Sequence, residues 1–464
     1  MRGSTTQLVL GDNTPKRGST SRFVKGSSIP KPSNVDGKGL LSLLNHPLNT
    51  LIVFAPFGVA SHFLEWGKVV TFWLCFFAMV PLAKILGDAT EELAAGLKND
   101  MLAGLLNATF GNAVEMVIMI QTLRAGLFDV VKATLLGSVL SNMLLVLGMS
   151  FFFGGIMSSR SSKPQASAVV LSSNSPGRFA SGSATRSSQL ATLPEGEFEE
   201  SLDKEASGFV AEKVQHFHTM SALVSTSMLL ISCLSFSLVT VFRTITDVEE
   251  DVQYMEKTLL PVSRTCSLIV ISSYGAYIIF QLGTHKMLLA EDEGDGDGEP
   301  EEEPAISVTM SVMLLFVSTV VVAFMSEILV ESLEEVTEQA HLSMHFIGII
   351  LLPIVGNACE HVSAVRFAIK DRPGLSIGIA IGSSTQIALF VVPCAVLTGW
   401  ILDKDMDLNF GALNTTVMTL SVIVVLSMVV DGQSNWLQGY LLMAAYCVIA
   451  VLYFHLPNVL PEVE

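Results

Sequence analysis

The sequence predicts an all-α polytopic membrane protein of about eleven transmembrane helices with an inverted-topology repeat. Three observations predict it. Half of the 464 residues are hydrophobic and only 15% are charged, outside the range of an ordinary soluble chain. Charge-free windows recur along the chain, each longer than the roughly 20 residues a helix needs to cross the bilayer core. Finally, the pentad Gly111-Asn112-Ala113-Val114-Glu115 returns as Gly356-Asn357-Ala358-Cys359-Glu360, 245 positions later, each copy inside a long apolar segment.

Taken in order, residues 1–46 form a Ser/Gly/Pro-rich tail with seven bases against Asp12 and Asp36. Such a segment cannot bury a core, so it reads as a disordered basic tail, and its charge places it in the cytosol. It holds no apolar run of the kind a cleavable signal peptide needs. A leading span follows at 47–66, with its apolar stretch at 48–64. The first repeat, 67–290, holds spans at 69–87 (interrupted by Lys84), 101–123, 133–159, 219–242 and 265–285. Between the third and fourth of these lies a Ser-rich cytosolic loop, 158–217. An acidic cytosolic linker covers 291–304, with nine acids and no bases. The second repeat, 305–464, holds spans at 305–326, 342–368, 373–402, 408–430 and 432–459.

Charge at the span ends sets the orientation. Arg160, Lys163, Arg178, Arg186, Lys204, Lys213, Lys370 and Arg372 fall on the tail side. Asp247, Glu249, Glu250, Asp251, Glu331, Glu334, Glu335, Glu338, Asp403, Asp405 and Asp407 fall on the other. This asymmetry gives an inside amino terminus and a luminal carboxyl terminus. The acidic linker does not contradict it, because Asp and Glu contribute little to orientation. All six cysteines fall within apolar spans, which fits packed thiols better than a disulfide framework.

The offset of 245 extends beyond the pentad. It pairs Gly137 with Gly382, Ser138 with Ser383 and Gly154 with Gly399 without a gap. Five crossings separate the copies, an odd number, so they run through the membrane in opposite directions. That is the plan of a secondary transporter with its site near the midplane.

A carboxylate in hydrocarbon costs about 2.5–3.5 kcal/mol on insertion scales, so Glu115 and Glu360 read as functional. On a helix Asn107, Gly111 and Glu115 follow at four-residue steps, and Asn112 precedes Glu115 by three; Gly356, Asn357 and Glu360 repeat that face. Partner helices offer Ser138, Ser141 and Asn142, and Ser383 with Gln386. The set is carboxylate, amide and hydroxyl oxygen, with no soft sulfur positioned to compete, and it suits Ca²⁺ and also Mn²⁺. Glycine at each pentad start permits a helix break, where irregular backbone lines a cavity. Burial and a neighbouring carboxylate both disfavour the charged form, so both glutamates are expected to hold protons until a cation displaces them.

Plainer readings stand beside these. One membrane-embedded Glu can be structural, satisfied by an Asn; two duplicated ones are harder to explain that way. His361 either tunes or shuttles protons, or is a packed histidine. Glu91 and Glu92, with Glu331, Glu334 and Glu335 as loose counterparts, are either access-path acids or solvated helix ends. Ser141 reads as a packing residue, and Lys84 with Asp88 as an interfacial pair. The acidic run lacks the EF-hand pattern and reads as a solvated linker.

The two stretches Gly104-Leu105-Leu106-Asn107-Ala108-Thr109-Phe110-Gly111-Asn112-Ala113-Val114-Glu115 and Leu352-Pro353-Ile354-Val355-Gly356-Asn357-Ala358-Cys359-Glu360-His361 carry a resemblance. With Gly137-Ser138-Val139-Leu140-Ser141-Asn142 and Gly382-Ser383-Ser384-Thr385-Gln386, they resemble the cation/proton exchangers of the Ca²⁺/cation antiporter superfamily. The resemblance covers residue 48 onward. It implies a leading helix plus two inverted five-helix repeats, and export of cytosolic Ca²⁺ into an acidic, vacuole-like store in exchange for H⁺, with Glu115 and Glu360 as the transport carboxylates. The long Ser-rich loop and Arg366 in the eighth span depart from that pattern.

The expected function is therefore a secondary antiporter working by alternating access, not an enzyme. Ca²⁺ is substrate and H⁺ counter-ion, with no cofactor. The expected partners are the bilayer and these ions, not nucleic acid, and a homo-oligomer is left open. Alternatives are a Na⁺-coupled Ca²⁺ exchanger, a gated cation channel and a Ca²⁺-sensing membrane scaffold.

Overall fold

The computed structural model describes residues 35–97, 102, 106, 109–157, 214–245, 255–285, 304–339 and 342–456. Most of the basic tail, most of the Ser-rich loop, the acidic linker up to residue 303, and Asn107 lie outside the described residues.

Helix α1, Val35–Leu44, occupies the end of the segment expected to be disordered. A 3₁₀ turn, Pro47–Val53, then leads into α2, Phe54–Phe63. Proline at the first helical position presets the backbone and gives up only an orphan N–H. The next helix, α3, runs over 29 residues, Lys68–Gly96, well past the expected end at 87. Its extension is possible because Lys84 and Asp88, one turn apart, pair at 2.5 Å with both side chains largely buried. The pair expected at an interface is thus neutralised inside the helix, and the chain stays helical through it.

The offset of 245 also holds in space. Helix α4, Ala113–Arg124, matches α11, Ala358–Ile369. Helix α5, Phe128–Met157, matches α12, Pro373–Ile401. Both long helices loosen into a π turn at equivalent places, Ser141–Val146 and Ile387–Val391. Such turns widen a helix by one residue and mark functional sites. Between the copies stand α6 (Thr219–Ile245), α7 (Lys257–Thr284) and α8 (Val308–Glu331). After α8 come the short α9 (Leu333–Gln339) and α10 (Met344–Gly356), which meets α11 at a 59° bend. Two more helices, α13 (Ala412–Val429) and α14 (Trp436–His455), complete the order.

Among the described residues, eight helices are long and apolar enough to cross a bilayer, ten if the bent pairs α10–α11 and Gly37–Leu44 with Pro47–Phe63 each count once. Of the expected span at 101–123, α4 is its second half; its first half falls mostly outside the described residues. With four crossings between them, α6, α7, α8 and the bent α10–α11, the equivalent helices α5 and α12 run in opposite directions.

Packing divides into two main apolar clusters. One is built on α3 and α8, around Phe72, Met79, Leu86, Val322 and Met325. The other joins α5, α6, α12, α13 and α14, around Leu140, Leu229, Val391, Val422 and Leu442. Lipid is as apolar as leucine, so close contact rather than water exclusion holds such helices together. Gly148 and Gly439 show this where α5 crosses α14: a Cβ on Gly148 would sit 3.0 Å from the Met443 backbone nitrogen. A buried ion pair at 2.7 Å, Lys132 on α5 with Asp407 in the α12–α13 connection, joins the two repeats. The end of the Ser-rich loop is also fixed. Strand β1, Gln215–His216, pairs antiparallel with β2, Gln433–Ser434. The Gln215 amide donates to the Ala368 carbonyl and to Asp371, both at 2.9 Å. All six cysteines are free thiols.

Candidate cation site at the crossing of the repeats

Both pentads fall where a helix breaks. Gly111 and Asn112 form a turn before α4, and Asn357 one between α10 and α11. Each break brings the amino terminus of a half-helix into the protein interior. Glu115 and Glu360 occupy the third position of those half-helices. There the free backbone N–H groups and the positive end of the helix dipole favour an anion.

The asparagines tie each break to the opposite repeat. Asn112 donates from Nδ2 to Gln386 Oε1 at 2.7 Å and accepts from the Ser383 hydroxyl at 3.2 Å. Asn142 donates to Ser383 Oγ at 3.0 Å. Asn357 donates to the Ser138 backbone carbonyl at 3.1 Å. Ser138 and Ser383 are equivalent positions, so each asparagine reaches the other repeat's serine, as a two-fold axis through the site requires. Ser384 donating to the Val139 carbonyl at 3.3 Å joins two further equivalents across that axis.

The network leaves oxygens to spare. Glu115 is 2% exposed, and its Oε1 has no hydrogen-bond partner. It lies against Gly356, where a Cβ would come within 2.8 Å of it, so the glycine makes room for the carboxylate. Glu360 Oε2, Asn357 Oδ1, Asn142 Oδ1 and Ser138 Oγ are likewise buried without partners. Buried polar atoms are otherwise almost always paired, so these orphans form a donor set awaiting a ligand. Among the described residues no three His, Cys, Asp or Glu side chains cluster as a metal site. The hard donors are two carboxylates with amide and hydroxyl oxygens, which fits an oxygen-seeking divalent ion. Ser141 is also fully buried, and its hydroxyl has no partner either.

One cavity, of about 340 Å³, reaches this network. Gly111, Gly356, Glu360, Ser383 and Gln386 line it, and so does Glu91. It is bounded by the carboxyl ends of α3 and α7 and the amino ends of α6 and α12, so it opens on the face from which the Ser-rich loop and acidic linker emerge. The equivalent glycines record the asymmetry. A Cβ on Gly137 would collide with Ile349 and Pro353 of α10, whereas Gly382 borders the cavity and a Cβ there would meet nothing within 4 Å.

Not every expected residue gathers here. Glu331 instead lies 3.7 Å from Lys68 and 3.8 Å from His62, and is not part of the cavity wall. His361 donates from Nδ1 to the Asn357 carbonyl at 2.6 Å, leaving Nε2 buried and unpartnered. Asn112, Glu115, Ser138, Asn142 and Asn357 do not line the cavity. Cys359 lines the cavity beside Glu360, with Sγ against Gly87 of α3. Sequence reasoning also missed Ser225, Tyr277, Gln281 and Ser363. Ser225 and Tyr277 are linked at 3.0 Å. Ser363, three residues past Glu360 and so on its helix face, was within reach of the spacing argument.

A helical membrane protein with two opposed broken helices, each presenting a glutamate to a shared polar network, defines an ion-exchanger architecture. The chain belongs to the sodium/calcium exchanger protein family, whose model matches residues 67–176 and 310–454. It is 35% identical over 418 residues to Vacuolar cation/proton exchanger 2 of Oryza sativa subsp. japonica, covering 89% of this chain and 82% of the relative. It is 36% identical to a Ca²⁺/H⁺ antiporter of Synechocystis over 88% of this chain and 97% of that protein. With the Vacuolar calcium ion transporter of Schizosaccharomyces pombe it shares 32% identity, over 92% and 89% of the two chains. Among solved structures, native YfkE superposes with a TM-score of 0.65 at 30% identity, covering 88% of this chain and all of that one. A second, of an H⁺/Ca²⁺ exchanger, matches at 0.55 and 12% identity over 90% and 92%, a likeness of fold alone.

Proposed function

We propose that this protein is an antiporter that moves Ca²⁺ out of the cytosol in exchange for protons from an acidic, vacuole-like lumen. The observation that carries the reading is the pair of buried carboxylates, Glu115 and Glu360, each with an oxygen left unpartnered, as are Asn142, Asn357 and Ser138. Relatives named as vacuolar cation/proton exchangers and Ca²⁺/H⁺ antiporters support it. Cation and proton compete for the same oxygens, so binding one releases the other. A binding site that cannot be left vacant and charged couples the two flows, because two uncompensated carboxylates are too costly to carry across the membrane interior.

In this reading the cavity faces the cytosol and the protein spans the membrane of an endomembrane compartment, tail inside. Glu91, on the cavity wall, receives the cation before it reaches Glu360. Asn112, Asn357, Ser383 and Gln386 position the carboxylates, and Gly111 and Gly356 open the helix breaks that admit them. The same oxygen set accommodates Mn²⁺.

The test is uptake by proteoliposomes of the full chain with an imposed pH step. Ca²⁺ accumulation that follows the pH gradient and collapses with a protonophore is the expected result. Accumulation driven by a Na⁺ gradient instead would establish sodium coupling, and flux without any counter-ion would establish a channel.

A further inference from the structure

Helix α1 takes no part in the exchange network, and its placement asks for an explanation. It lies at 86° to the leading span and so runs along the membrane plane when that span crosses it. The bend is held from inside: the Asn49 amide, buried, donates to the carbonyls of Leu43 and Leu44 at 3.1 and 3.0 Å. One face of α1 is seated on protein. Gly39 is buried, and a Cβ there would run into the Ala305 carbonyl and come within 2.8 Å of Ile306 Cγ2. Ala305 and Ile306 are themselves strapped to α3, donating their backbone N–H groups to Glu92 at 2.7 and 3.3 Å.

The opposite face carries Lys38, exposed, with Leu41 at 68% and Leu44 at 40% exposure. A short in-plane helix with apolar side chains directed outward and a lysine beside them has the form of an interfacial anchor, its stem apolar and its charge at headgroup depth. Counting Lys38, the chain up to this helix holds seven bases and two acids. Such clusters bind anionic leaflets electrostatically. We propose that α1 is a membrane-surface helix that docks on anionic lipid headgroups at the face where the cavity opens. The partner is the lipid leaflet, although the nine acids of 291–303 offer a competing electrostatic target within the chain.

Hydrogen–deuterium exchange on the full chain tests this, in nanodiscs of phosphatidylcholine alone or mixed with phosphatidylserine. The amides of 35–44 should exchange more slowly in the anionic discs, by about fivefold for each base that contacts the surface. High salt should shrink that difference, and Lys38→Glu combined with Leu41→Glu should remove it while Ser42→Ala keeps it. Equal exchange in neutral and anionic discs overturns the proposal. So does protection that is unaffected by lipid charge yet lost when the acids of 291–303 are neutralised, because the linker would then be the partner. The proposal rests on the functional reading only for which leaflet is meant. Loss of proton-driven Ca²⁺ uptake in every lipid would sink that reading and leave the lipid contact standing.

Discussion

Glu115 and Glu360 are expected to be indispensable to exchange in different ways. Glu115 is enclosed against Gly356, whereas Glu360 faces the cavity. Glu115→Gln or Glu360→Gln should each abolish proton-driven Ca²⁺ uptake in proteoliposomes, leaving the protein folded because an amide fills the same space. The pH dependence follows from competition. Raising pH on the cavity side strips protons from the carboxyls, so Ca²⁺ binding tightens, by about tenfold per pH unit for each proton displaced. Either glutamine variant should therefore lower that slope by one proton, measurable by calorimetry at several pH values. Ser383→Ala, which frees both Asn112 Oδ1 and Asn142 Nδ2, should weaken Ca²⁺ binding by roughly 10–100-fold, the usual effect of losing a supporting hydrogen bond. The glutamates and asparagines were legible in the sequence because polar residues in hydrocarbon announce themselves and these came twice. Cys359 was not. A thiol in an apolar span looks like packing, and only the contact with Gly87 and the cavity wall reveals its position.

At the scale of the helices, the matched breaks and π turns show how far a 245-residue offset could be pushed. It pairs α4 with α11 residue for residue and α5 with α12 to within one residue, because repeat copies share backbone constraints as well as side chains. It gave no warning of α1, whose composition resembles the tail before it, or of α3 running on to Gly96 through a self-neutralised ion pair. Nor did it reveal Lys132 with Asp407, since a loop acid and a span-end lysine look solvated until the fold buries them together. Lys132→Met should lower stability by about 3–5 kcal/mol by stranding Asp407, while pairing it with Asp407→Leu should restore most of the loss. Thermal unfolding of the purified variants measures this. The equivalent glycines make a second comparison. Gly137→Val forces a side chain into α10 and should destabilise by about 1–3 kcal/mol. Gly382→Val enters open space, so the same assay should find it as stable as the parent.

On the scale of the whole molecule, that glycine asymmetry carries a mechanism. The cavity is walled by α3 on one side and by α6 and α12 on the other, so the space that must close lies between these helices. If the repeats exchange roles during transport, Gly382 must acquire the close packing that Gly137 now has, and Gly137 must lose it. Gly382→Val should then hold the cavity open: Ca²⁺ still binds from the tail-bearing face, but turnover falls because the valine blocks closure. Cys359 provides the readout. A small, charged, membrane-impermeant thiol reagent should reach it only through the cavity, hence only from that face, and only while the cavity is open. Conditions that turn the parent protein to its other state, an imposed proton gradient among them, should slow modification of Cys359, followed by mass spectrometry of its peptide. In Gly382→Val the modification should stay fast under those same conditions. Labelling at equal rates from both faces, or slowing in the valine variant as in the parent, would mean that this cavity is not the one that closes.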